Sequence, residues 1–183
     1  PDLERKAPRV VVYTGNSKLE TRLDYTAPKG YSVGFQDLIS FVMSQLPQNE
    51  VVENALRQEM KLVPHIVIRE LVANALIHQD LAMAGASVMI EIFSNRVEIS
   101  NPGEPIVPVE RFIDGYPSRN ERLADLMRRM NICEEKSSGI DKVVHAAEMY
   151  QLPAPDFRAG HRRTVVTLYG PRPFEDMDRE DRV

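Results

Sequence analysis

Apolar residues recur along this chain with two periods, and the switching between them predicts its elements. From Phe35 to Leu46 the residues Leu38, Ile39, Val42, Met43 and Leu46 fall at helical spacing, and Pro47 closes the run. Pro64 to about Gln79 predicts a second helix, because proline is tolerated in a first turn where its missing N–H would have no partner. Val10 to Tyr13 is a short β-branched run that predicts a strand, and Thr14 to Gly30 reads as loop. Residues 50–62 fit strand or helix equally. Ala86 to Phe93 and Arg96 to Ser100 alternate around Ser94-Asn95 as a hairpin. Asn101 to Ser118 holds four prolines and two glycines and predicts a loop with one helical turn near Val109 to Ile113. Helices are expected at about Asn120 to Met130 and Gly139 to Gln151, the latter stopped by Pro153 and Pro155, before a closing strand from Thr164 to Tyr169. Helices interleaved with hairpin strands point to an α/β class, a two-layer sandwich with a mixed sheet.

Composition narrows the function classes. Of 183 residues, 43% are hydrophobic and 27% charged, a globular balance, with a net charge of −4 that argues against a clamp held on nucleic acid by charge alone. The longest nearly apolar stretch, Leu71 to Ile77, is far short of the ~20 residues needed to cross a bilayer, so no membrane partner is expected. The single cysteine, Cys133, allows no intramolecular disulfide, cannot build a structural zinc site, and lies beside Glu134 and Glu135, which disfavour its thiolate; a cytoplasmic setting is the simplest reading. None of the nine glycines starts a G-x-x-x-x-G-K-[ST] loop, which excludes a P-loop helicase motor in this segment.

The 64–79 helix carries an unusual stripe. At 100° per residue, Glu70, Asn74 and His78 fall within an arc of about 80°, flanked by Ile66 and Ile77 on one side and Val67 and Leu71 on the other, while His65, Arg69 and Gln79 supply a separate polar face. A polar line among apolar neighbours needs partners. Hydrogen bonds to nearby loops would satisfy it, and so would a ligand with phosphate and metal.

Three stretches in order carry a resemblance: Arg69-Glu70-Leu71-Val72-Ala73-Asn74-Ala75-Leu76-Ile77-His78-Gln79-Asp80, Val97-Glu98-Ile99-Ser100-Asn101-Pro102-Gly103, and Glu134-Glu135-Lys136-Ser137-Ser138-Gly139-Ile140. Together they resemble the C-terminal ATPase-like domain of RecG-related helicases and Schlafen AlbA-type transcriptional regulators, a relative of the Bergerat-fold (GHKL) ATPases. The resemblance implies that fold, with ATP and Mg²⁺ as cofactors. It implies Glu70 as the carboxylate that orients or deprotonates the attacking water, Asn74 as the Mg²⁺ ligand, and Asn101 and Gly103 as base contacts. Ser138, Gly139 and Ile140 would bring a helix N-terminus to the phosphates. The loop from Asn101 to Ser118 would belong to a lid, and Arg119-Asn120 matches a pair of unassigned role.

Some positions depart from the pattern. Asn101-Pro102-Gly103-Glu104-Pro105 stands where active relatives have D-x-G-x-G, and His161-Arg162-Arg163 where many have Gly-Thr. An amide both accepts and donates, so Asn101 suits a 6-amino or a 6-oxo purine, with weaker discrimination than an aspartate. Ser138 also fits a simple helix cap, and Asn101-Pro102-Gly103 a simple turn. Two functions stay open: a nucleotide-binding regulatory domain with slow hydrolysis, and a degenerate non-catalytic domain that dimerises or positions a DNA-binding module. The expected layout is an entry strand, loop and helix over 1–63, a nucleotide-pocket core over 64–170, and a disordered acidic tail over 171–183. The chain begins at Pro1 and is expected to be the C-terminal piece of a longer protein whose N-terminal part contacts DNA; a homodimer is compatible with this.

Overall fold

A computed structural model describes residues 4–53, 56–114, 117–133 and 139–172. The elements follow in the order β1 (Arg9–Tyr13), β2 (Thr21–Thr26), α1 (Tyr31–Gln45), β3 (Gln48–Glu53), β4 (Leu56–Lys61), α2 (His65–His78), β5 (Met89–Ile92), β6 (Arg96–Pro102), α3 (Glu121–Arg129), α4 (Gly139–Met149), β7 (Asp156–Gly160) and β8 (Arg163–Tyr169), with a 3-10 turn at Val109–Asp114 before α3. Six strands form one mixed sheet in the order β2-β1-β5-β6-β8-β7, in which β1 and β5 are parallel and the other neighbours antiparallel. The expected α/β class with a mixed sheet is what forms.

Alternation builds the two layers. Val10, Val12, Ile90, Ile92, Val97, Ile99, Val166 and Leu168 point from their strands to one side and join the helices in a single apolar core. On the reverse face Glu91 is buried and held by Lys18 Nζ (2.7 Å) and by the Tyr13 hydroxyl (2.9 Å), and burial with this carboxylate contact pushes the Tyr13 phenol up to about 12. Helix α2 lies innermost. Its Val67, Ile68, Leu71, Val72, Ala73, Leu76 and Ile77 are all buried, and it packs against α1, α3, α4 and β6.

Several elements were not legible from periodicity. β2 falls inside the expected loop; its residues are mostly exposed, and pairing with β1, the Arg9 Nε–Asp24 Oδ1 bond (2.7 Å) and the Tyr25–Phe41 ring contact define it. The described residues of the 50–62 stretch are strand up to Lys61, in β3 and β4, which pair antiparallel and apart from the main sheet. β7 is a half-exposed edge strand with no apolar alternation. Gln79, assigned above to an outer polar face, is fully buried, its Nε2 donating to Leu76 O (3.0 Å). The tail is outside the described residues from 173 onward.

The C-terminus of α2 ends inside the protein, where its last carbonyls need donors. The Arg119-Asn120 pair supplies them. Asn120 Nδ2 donates to Ile77 O and to Gln79 O (2.8 Å each), Asn120 N donates to Ile77 O (3.2 Å), and Arg119 Nε donates to His78 O (3.1 Å). Asn120→Ala removes both side-chain bonds, leaving Ile77 O with the backbone N–H of residue 120 and Gln79 O without the amide donor, and its expected cost is about 1–3 kcal/mol. Urea denaturation, with an unchanged slope and a lowered midpoint, is the check.

Candidate functional site

Helix periodicity aims the stripe of α2 at one cavity, where Asn74 and His78 form part of the wall beside Leu71 and Ala75. Strands β6 and β8 supply the opposite wall with Ile99, Asn101, Thr164 and Val166; Pro105, Ile106 and Phe112 close one side, and Ile140, Phe157 and Arg119 complete it. Counting its mouth and the open solvent it takes in, the cavity spans about 560 Å³. The walls are mainly apolar, and Phe112 meets Phe157 edge-to-face at 5.4 Å.

At one end the N-terminus of α4 meets the stripe. A Cβ on Gly139 would lie 3.3 Å from Glu70 Oε2 and 3.3 Å from Asn74 Nδ2, so the absence of a side chain is what allows this approach. Glu70 is buried, and its Oε1 is paired with Arg69 Nη1, whose guanidinium also donates to Ile132 O (2.7 Å) and Asn131 O (3.0 Å). Arg69, expected on an outer face, is therefore turned toward the site. Ser138 lies outside the described residues, while Ile140 is buried in the core and lines the cavity.

The far end is built on β6. Asn101 is buried on the last turn of pairing, opposite Thr164 in register. Its Nδ2 donates to Pro102 O (3.3 Å), which directs the other amide atom, the Oδ1 acceptor, away from that carbonyl. Gly103 does not contact the cavity wall. Its φ of 99° and a virtual Cβ 2.8 Å from Asp80 Cβ make it the point where β6 passes tightly over the residue after α2. Asp80 N donates to Pro102 O (2.7 Å), and Gly103 N to Arg162 O (2.7 Å). Asn101 and Pro102 thus belong to the strand, and Phe112 is buried in the core, so less of 101–118 is free to act as a lid than the prolines and glycines implied.

Electrostatics around the cavity are one-sided. Burial, with the neighbouring Arg119 charge adding to it, pushes the His78 imidazole down to about 4, so it is neutral at pH 7. Burial pushes the Cys133 thiol up, which disfavours its thiolate. Among the described residues no cluster of three or more His, Cys, Asp or Glu could cage a metal ion. An ion held by one amide oxygen, water and ligand phosphates fits the donor set that is present. Thr164, Phe112, Phe157 and Arg119 were missed as wall residues. Thr164 had a signal, being the first residue of the expected closing strand, although His161-Arg162-Arg163 precedes it; its Oγ1 donates to Gly103 O (2.9 Å).

Comparisons with known proteins bear on the fold and on the stretch from β5 to β8. No curated protein matches the chain by sequence. Among solved structures, the DIP2311 protein from Corynebacterium diphtheriae superposes with a TM-score of 0.83 over 94% of this chain at 20% identity, which establishes a shared fold. The match covers 36% of that protein's length. A family model described as "Putative ATP-dependent DNA helicase recG C-terminal" matches residues 85–168. That span holds β5 to β8, Asn101, Gly103 and Gly139, and leaves Glu70 and Asn74 on the helix just before it. Over residues 85–168 the chain is thus similar to the family that its motifs resemble.

Proposed function

We propose that this domain binds a magnesium-complexed nucleoside triphosphate, ATP, in the cavity between α2, α4 and β6, as the regulatory part of a longer protein whose other segments contact DNA. The close fit of Gly139 against Glu70 and Asn74 carries this reading: it leaves backbone donors and a helix N-terminus at one end of an apolar slot, next to a carboxylate and an amide. Phosphates belong at that end and the base at the other, against Asn101. Asn74 would hold Mg²⁺, which neutralises phosphate charge when bound. Glu70 would orient water at the terminal phosphate. Because Asn101 Nδ2 is engaged by Pro102 O, Oδ1 is the atom offered to a base amino group, a neutral substitute for the aspartate of relatives.

One observation favours a second, non-catalytic reading. Glu70 is locked by Arg69, which is itself tied to the loop after α3. A carboxylate so engaged is a poor water activator, and the domain would then bind without turnover and act by positioning its neighbours.

Thermal melts separate the readings. Mg-ATP at 100 times its Kd should add about 2.7 kcal/mol of stability, a rise in Tm that Asn74→Ala abolishes. Absence of any shift in the wild type would leave only the non-catalytic reading without nucleotide. Glu70→Ala should retain the shift and lose whatever phosphate release the wild type shows. Gly139→Ala, whose methyl enters the contact with Glu70 and Asn74, should weaken Mg-ATP by roughly tenfold while the ligand-free Tm stays within a few degrees. Since Asn101 offers a neutral rather than a charged acceptor, ATP should be favoured over GTP by less than about 100-fold in direct titration.

A further inference from the structure

Arg119 is the one charged residue in the cavity wall, and the described lining contains no carboxylate. Its guanidinium is fixed by two backbone carbonyls, Nε on His78 O (3.1 Å) and Nη2 on Glu104 O. Among the described residues it makes no ion pair, so its remaining N–H donors and its whole positive charge are left at the edge of an apolar slot. Arg119 is part-buried there, and an acceptor that completes its remaining donors offsets the solvation it has lost. The two carbonyls also remove the freedom of the side chain: one sits on the end of α2 and the other on the segment leaving β6. The guanidinium therefore stands beside the Asn101-Gly103 stretch, with its Cζ 3.7 Å from the position of a Cβ on Gly103. That is the end of the cavity opposite Gly139.

We propose that Arg119 is the second base-reading residue of this cavity, donating a charge-assisted hydrogen bond to a ring nitrogen of the purine whose exocyclic amino group is accepted by Asn101. The inference rests on the nucleotide reading above. A purine edge presents an amino donor beside a ring-nitrogen acceptor, and Asn101 Oδ1 with an Arg119 N–H is the complementary pair of atoms. It explains how the pocket tolerates the loss of the aspartate: the charge has moved from the acceptor side of the recognition to the donor side. Loss of a charged hydrogen bond is felt more than loss of a neutral one.

The test is a direct titration of the wild-type protein with the Mg²⁺ complexes of ATP, 1-deaza-ATP and 7-deaza-ATP. One deaza analogue is expected to bind about tenfold or more weakly than ATP, and in Arg119→Lys the gap between that analogue and ATP should shrink to within about twofold. Equal binding of ATP and both analogues overturns the proposal, as does a gap that persists undiminished in the folded lysine variant. If that variant does not fold, the arginine Nη resonances of ¹⁵N-labelled wild type decide: a shift with ATP that is absent at saturation with the weakened analogue supports the assignment, and no shift with ATP refutes it. Failure of all three nucleotides to bind removes the underlying reading, an outcome distinct from equal binding.

Discussion

The carbonyls at the end of α2 impose the constraint from which much of the site follows. The helix is buried along nearly its whole length, so its last turn cannot turn to water, and donors must be brought from elsewhere in the chain. Arg119 and Asn120 arrive from the loop before α3 to do so. Satisfying that helix end fixes three things together: the depth of Asn74 and His78, the path of the chain leaving β6, and the placement of a guanidinium in the wall of the cavity.

A second consequence concerns charge. The chain is net acidic, yet the described cavity lining has a lone cation and no anion. The carboxylate that does approach, Glu70, comes in beside Gly139 at the opposite end and is already engaged by Arg69. The charge in the described lining is thus that of Arg119, held in place by backbone carbonyls, and His78 beside it is kept neutral by its burial. Rigid donors of this kind discriminate by geometry, because little side-chain entropy is left to lose when a ligand arrives.

The helices and the inner strands were legible because burial on one side writes a period into the sequence: α1, α2, β1, β5, β6 and β8 all carry it. β2 and β7 do not, since both are edge strands whose partners on one side only leave most positions free to be polar. Spacing puts Glu70 and Asn74 on one face of α2, and the structure brings Gly139, expected beside them from its motif, against both. Gly103 was placed at the base, whereas its positive φ and tight contact with Asp80 give it a packing role. The wall residues Phe112 and Phe157 come from a 3-10 turn and an edge strand; such residues have no local signature, because only the tertiary path brings them to the slot. Arg119 could be recognised as part of a pattern, but its work on α2 lies some 40 residues away in sequence and no local rule reports it.

The pairing of β1 with β5 joins Arg9–Val12 to Met89–Ile92, parallel and in the middle of the sheet. Two consequences reach beyond the site. Contacts of such large sequence separation form only by closing a long loop, a step that slows folding. The second concerns where the folding unit ends. The segment that the family model matches, 85–168, includes β5 but neither β1 nor α2. Cut to those bounds, the sheet would end on the unpaired edge of β5 and its apolar face would lack its central helix, so the matched stretch is smaller than the unit that can stand as a folded body.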